Sequence, residues 1–250
     1  KPADKVLTAS DITDGVVSTA KIADNAVTAD KTSYKDVPYR NIIINGDMSI
    51  SQRATSVASI TASGYNTIDR FKTNISSAGT WTQSQSTTVP SGQGFATSLK
   101  MDCTTADGSL GAADSLNIQQ RIEGQNLQYL KKGTASAESV TLSFWVKSNK
   151  TGTYIVELYE SDNTRSISKS YTIDSSDTWE QKEITFAGDT TGALDNDNAR
   201  SLDVNFFLAA GSNFTSGTLA TSWSSYTAAN RAVGQVNLAD STSNEFFITG

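Results

Sequence analysis

The chain has 250 residues, 20 Lys and Arg against 26 Asp and Glu, and a net charge of −6. This is long enough for one large all-β domain or two small ones, and the acidic balance opposes non-specific nucleic-acid binding, which needs clustered cations against phosphate. Cys103 is the one cysteine, so no intrachain disulfide can form, and with no His there is neither a Ser-His-Asp triad nor an imidazole metal ligand.

The first elements are repeats. Ile12 to Lys21 is echoed ten residues on by Ile22 to Lys31, and Leu7, Ile12, Val17, Ile22 and Val27 recur every five residues. That period is neither the 3.6 of a helix nor the 2 of a strand. Asp14-Gly15 and Asp24-Asn25 place turn dipeptides at equivalent points. A unit this small cannot bury its apolar residues alone. A flexible linker is one reading. The regular spacing favours the other, a fibrous stalk in which three chains share a thin core through these five residues. Thr32 to Arg40, with Pro38, then reads as a connector. Residues 1–40 are expected to be stalk and connector, and residues 41–250 a globular domain. The opening Lys1 without a Met reads as a fragment or processed product, and neither a signal peptide nor an apolar run long enough to span a membrane is legible.

In the globular part, Asn41 to Ser51 reads as strand, Asn45-Gly46 turn, strand. Trp81 to Val89 reads as a polar, exposed strand, and Phe95 to Met101 as another. Ser115 to Ile122 sets Leu116, Ile118, Gln120 and Ile122 on one face and Asn117, Gln119 and Arg121 on the other. Gln125 to Leu130 reads as a short helix or turn. Val140 to Tyr159 reads as an antiparallel hairpin, Phe144 and Val146 facing the core and Trp145 facing away with Glu157 and Tyr159. Ser166 to Ile173, Glu180 to Phe186 and Leu202 to Leu208 are further strands, the last turning Asp203, Asn205 and Phe207 outward; Gln235 to Leu238 and Glu245 to Ile248 close the chain. Short alternating strands with turns between them predict a sandwich or barrel.

Asn41 to Met48, Gln52-Arg53, Tyr65 and Asp69-Arg70-Phe71 together resemble the start of the distal domain of many bacteriophage tail-fibre proteins, with Phe71 where a Trp is usual. Ser143 to Lys147, Thr178-Trp179-Glu180 and Phe246 to Gly250 are similar to later parts of the same family, and the ten-residue repeat resembles the shafts that precede such domains. The resemblance implies an all-β, jelly-roll-like sandwich akin to carbohydrate-binding modules, preceded by a fibrous stalk and borne on a homotrimeric, extracellular virion fibre beside other tail or capsid proteins. It implies a sequence running on beyond Gly250, while fold analogy alone does not establish sugar binding or the host adhesion that would follow from it. It carries over no defined ligand residue.

The residues themselves nominate a binding face. Trp145, with Glu157, Tyr159, Asp203, Asn205, Gln119 and Arg121, would combine an aromatic platform with hydrogen-bonding groups, the chemistry that holds sugars. The competing reading packs Trp145 against a loop or a neighbouring subunit. Trp81, Trp223 and Tyr226 are either ligand platforms or core, and Trp179 is expected in the core. Asp195 to Asn198, near Asp189, offers hard oxygen donors that suit Ca2+, with Asp195 and Asp197 as ligands; a solvated turn is the alternative, and no other cofactor is expected. Glu157 with Asp203 is the carboxylate pair a glycosidase would need, yet nothing else speaks for an enzyme. Three functions are thus open: host recognition through a glycan, a purely structural fibre or decoration protein, and a glycan-depolymerising spike.

Overall fold

The computed structural model describes residues 41–250; the repeat residues Leu7, Ile12, Val17, Ile22 and Val27 lie outside them. Two antiparallel sheets of six strands each face one another. The first runs β1 (Ser56–Ile60), β3 (Thr80–Ser86), β4 (Ser98–Thr105), β12 (Glu245–Thr249), β6 (Val140–Ser148), β9 (Glu180–Phe186). The second runs β11 (Ser224–Ser225), β8 (Arg165–Ile173), β7 (Gly152–Glu160), β10 (Arg200–Ala210), β5 (Ser115–Glu123), β2 (Phe71–Ser76). This is an all-β sandwich of jelly-roll-like topology.

Strand alternation builds the core. Leu99 and Met101 on β4, Phe144 and Val146 on β6, and Phe246 and Ile248 on β12 point inward from the first sheet; Leu116 and Ile118, Tyr154 and Val156, and Phe206 and Leu208 meet them from the second, all buried. Phe144 joins the layers, its ring edge-on to Phe206 and to Tyr171 at 5.2 Å each. Burying a side chain of this size is worth about 1.5–3 kcal/mol. Between β2 and β3 the chain passes from the second sheet to the first at a sharp corner, where Gly79 takes φ +76° and a Cβ would sit 2.5 Å from the Thr105 carbonyl oxygen.

Several expectations need correction. β6 and β7 are not a hairpin. β6 pairs with β9 and β12, and β7 with β8 and β10, so the chain crosses from one sheet to the other at Asn149 to Thr151. The connection is held by the Asn149 side chain, which accepts from the Glu245 N–H (2.8 Å) and donates to the Ser243 carbonyl (3.0 Å). Two strands facing each other across a core and two strands paired side by side show the same alternation. Asn41 to Ser51 forms no strand. Gln120 clamps it by its side chain, accepting from the Ile44 N–H at 2.8 Å and donating to the Ile44 carbonyl at 2.9 Å. Gln235 to Leu238 is no strand either; a 3-10 turn begins at Leu238. The β3 strand is only partly exposed: Trp81 and Gln83 are fully buried. Trp179 is half-buried outside the core, its ring against Phe247 at 6.1 Å.

Candidate functional site

The outer face of the second sheet carries a polar row set by register. Lys72 on β2 pairs with Gln119 on β5, Gln119 with Asn205 on β10, Asn205 with Glu157 on β7, and Glu157 with Ser168 on β8. The neighbouring row runs Arg121, Asp203, Tyr159 and Ser166. The structure therefore gathers Gln119, Arg121, Glu157, Tyr159, Asp203 and Asn205 on one face. Trp145 is the exception. It does point away from Phe144, but on the outer face of the first sheet, where Gly250 packs against its ring; it shares no face with Glu157 or Tyr159.

The row is a continuous hydrogen-bond network. Arg121 Nε donates to Gln119 Oε1 at 2.8 Å. Gln119 Nε2 donates to Asp203 Oδ2 at 3.1 Å and to Asn205 Oδ1 at 2.9 Å, and Asn205 Nδ2 donates to Glu157 Oε2 at 2.9 Å. Arg231 caps the row from the segment after β10, its Nε and Nη2 donating to the two Glu157 oxygens at 2.8 and 2.6 Å. Burial opposes the Arg231 charge, but this fork-shaped contact outweighs it and raises its pKa. Glu157 is fully buried; removing either partner of such a pair costs about 3–5 kcal/mol, because the other is left as an uncompensated buried charge. Asp203 is less well served. Its Oδ1 makes no hydrogen bond and lies 3.4 Å from Arg200 Nε. Burial pushes its carboxyl up to about 6, against the pull of Arg200 and Arg121.

A strap formed by residues 211–236 covers the β7 side of this face. Phe214, Leu219 and Ala232 from the strap close over Phe207 and Ile155, a small second core outside the sandwich. Arg231 also lies over the rings of Phe207 (5.2 Å) and Tyr226 (5.3 Å), and Tyr226 meets Tyr159 edge-on at 5.4 Å. Glu157, Asn205 and Phe207 are therefore structural supports beneath the strap rather than a surface.

The open part lies where β5 ends and β10 begins. A cavity of about 180 Å³ is lined there by Tyr65, Arg70, Arg121, Ile122, Glu123, Asn198 and Arg200. Tyr65 is 39% exposed, one of the few large exposed rings among the described residues. Arg70 Nη2 contacts both Glu123 oxygens at 3.0 Å. Burial raises the Glu123 carboxyl, but its own backbone N–H and Arg70 outweigh that and hold it below the usual range. Arg200 lies over the Tyr159 ring at 5.6 Å. A ring platform, an amide, a carboxylate and three guanidinium groups thus surround a space that suits one sugar ring.

Of these lining residues, only Arg121 stands in a sequence pattern that marks it as a ligand contact. Tyr65 and Arg70 stood in the family-like motif without a role, and Arg200 opens a strand with no pattern to single it out. Asn198 belongs to the Asp195 to Asn198 stretch of oxygen donors. In that loop Asp195 N–H donates to Asp162 Oδ2 (2.9 Å) and Asp197 Oδ1 accepts from Ala199 N–H (2.9 Å); among the described residues no three acidic or thiol side chains gather to hold a metal ion. Asp189 is drawn to Arg165 instead, at 2.6 Å. Trp81 is core, its Nε1 donating to the Ala78 carbonyl at 2.7 Å. Trp223 is half-buried, donating to the Ala187 carbonyl at 2.6 Å, with Lys132 Nζ 3.4 Å above its ring.

No protein-family profile matches the chain, and no curated protein matches it. Among solved structures it is similar to the enzymatically active domain of tailspike protein 4 from bacteriophage CBA120, at 16% identity and a TM-score of 0.40, over 85% of this chain and 21% of that one. It thus spans about a fifth of the length of that domain. It is similar to the CBM22-2 xylan-binding domain of Paenibacillus barcinonensis Xyn10C, at 12% identity and a TM-score of 0.37, over 73% of this chain and 89% of that one. It is also similar to TmCBM61 in complex with β-1,4-galactotriose, at 11% identity and a TM-score of 0.33, over 72% and 85% of the two chains.

Proposed function

We propose that residues 41–250 bind a cell-surface glycan, and that the chain is the host-recognition part of a homotrimeric virion fibre whose stalk is the ten-residue repeat. The observation that carries the binding reading is the cavity beside the polar row. Sugars are held by an aromatic ring against their C–H face and by planar donors and acceptors around their hydroxyls. Tyr65 supplies the ring, and Arg70, Arg121, Asn198, Arg200 and Glu123 supply the polar groups. The fibre reading rests on the resemblance of the repeat and of the Asn41 to Phe71 motifs to phage tail fibres.

Binding is favoured over cleavage by the state of the carboxylates. Glu157 is locked in its contacts with Arg231 beneath the strap, out of reach of a glycosidic oxygen. A purely structural fibre is favoured only by the aromatic outer face of the first sheet, where Trp145, Trp179 and Phe247 lie. Glycan-array binding, with Tyr65→Ala and Trp145→Ala beside the native protein, separates these readings. Tyr65→Ala should lose at least about tenfold in affinity, a difference of 1.4 kcal/mol, and Trp145→Ala should bind as the native protein does. Binding lost only in Trp145→Ala would move the site to the other sheet.

A further inference from the structure

Taking the cavity as the glycan site, we infer that the sugar it takes is an acid: one carboxylate-bearing residue, a uronic or sialic acid, set among neutral sugars. Arg70, Arg121 and Arg200 line the cavity, and Lys72 stands on the adjacent strand, in the register position beside Gln119. Among the described residues, two carboxylates are within ion-pair distance of these four cations. Glu123 is taken up by Arg70, and Asp203, behind Arg200, is buried.

Arg121 spends its Nε on Gln119, and among the described residues no carboxylate lies within ion-pair distance of Arg121 or Lys72. The cations also feel one another: burial and then the charges of Arg121 and Arg200 lower the Lys72 ammonium, with Asp203 opposing. In a chain of net charge −6, two cations left without an ion-pair partner, Arg121 lining the cavity and Lys72 on the strand beside it, are a costly arrangement that an anionic ligand relieves.

The type of anion follows from the side chains. A guanidinium presents parallel N–H groups that match a carboxylate in a two-point contact, and among the described residues the Arg121 terminal nitrogens have no hydrogen-bond acceptor, its Nε alone being engaged. Tyr65 and Asn198 add the ring contact and the hydroxyl contacts that a bare anion would not use. The cavity, at about 180 Å³, has room for one ring. The negative charge of the whole molecule works against a continuous polyanion through the long-range field, so an isolated acidic residue fits better than a polyuronate or a nucleic acid.

The test uses the full chain and matched probes: sialyllactose and methyl β-glucuronoside, their carboxyl methyl esters, lactose and methyl β-glucoside, and glucose 6-sulfate. Titrations followed by the amide and arginine Nε resonances give both affinity and place. At least one of the two acids should bind tenfold or more tightly than its ester and its neutral partner, moving the Arg121 and Arg200 signals, and should weaken as salt is raised. Arg121→Gln should remove that preference; Tyr65→Ala, which removes a partly exposed ring that also lies under Arg53, should weaken the acid and leave its salt dependence, with the amide spectrum of the unliganded variant showing that the fold is kept.

Neutral sugars or esters that bind at the same resonances as well as the acids would overturn the acidic assignment and leave the glycan site standing. Glucose 6-sulfate binding as tightly as the carboxylates would overturn the choice of carboxylate. If none of these probes and no glycan on an array binds, both the acidic assignment and the glycan site fall.

Discussion

Asp203 shows how far a single residue can be read. Alternation along β10 put it on the outer face with Asn205 and Phe207, and alternation along β5 did the same for Gln119 and Arg121, because a period of two fixes the face of every residue once one is known core. It could not reveal that Asp203 is almost wholly covered, since burial there depends on neighbours brought in by other strands and on the strap. The consequence is a pH effect. Asp203 is faced by Arg200 on its own strand, by Gln119 and Arg121 on β5, by Lys72 on β2, by Tyr159 and Glu157 on β7 and by Arg231 from the strap. Its folded pKa, pushed up to about 6 by burial, lies above the unfolded value. The folded state then binds the proton more tightly, so its contribution is fully present below about pH 4 and is lost as pH rises through about 6. Asp203→Asn keeps an oxygen for Gln119 and does not titrate. Urea unfolding of both proteins at pH 4, 6 and 7.5 should show the variant gaining on the native protein by at most about 3 kcal/mol, most of it below pH 6.5. A difference that does not change with pH would mean that Asp203 is not held at a raised pKa.

At the scale of elements, strands were legible and their partners were not. β8, β9 and β10 fall where the alternation put them, within a residue or two. The pairing of β6 with β7 was misread because the inner residues Phe144 and Tyr154 serve one core from opposite sheets. Trp145 was assigned to the wrong surface for that reason alone. The strap was illegible: residues 211–236 are rich in Gly, Ser, Thr and Ala and show no period. What holds it is a set of single contacts. Ala232 N–H donates to the Phe214 carbonyl at 2.9 Å, Ser168 N–H to the Ala220 carbonyl at 2.7 Å and Val236 N–H to the Thr153 carbonyl at 2.9 Å, while Phe214 closes the small core with Phe207 and Ile155. Phe214→Ala should therefore free the strap before it unfolds the sandwich. A fully buried Phe truncated to Ala costs about 3–5 kcal/mol; Phe214 is only partly buried, and about 1–3 kcal/mol is expected. Hydrogen exchange should quicken at Gly217, Ala220 and Ala232 and stay slow at Phe206 and Ile118. Equal acceleration throughout would make the strap part of the main cooperative unit.

At the scale of the whole molecule, the proposed fibre and the proposed site need each other. A cavity with room for one sugar ring offers few contacts, and binding there must be weak. Three copies on one stalk would convert the second and third contacts into intramolecular ones, raising avidity by about 10²–10⁴ without tightening any site. The repeat supplies the physical reason for three chains. Leu7, Ile12, Val17, Ile22 and Val27 each have an Asp, Thr, Ser or Lys beside them, with Val6 and Val16 adjoining two of them, and a unit this small cannot bury its apolar residues alone. A closed symmetric assembly hides one apolar residue per chain at each step and leaves no exposed seam. Light scattering on the full chain and on a version beginning at Asn41 is the measurement. The full chain should have three times the mass of one chain at micromolar concentration, the shortened version the mass of one, and cell binding should fall far more than binding to a single soluble glycan. A monomeric full chain would remove the stalk from the account. A trimer that survives loss of residues 1–40 would instead place the main contact in the sandwich, where the outer face of the first sheet, with Trp145, Trp179 and Phe247, is the surface to mutate next.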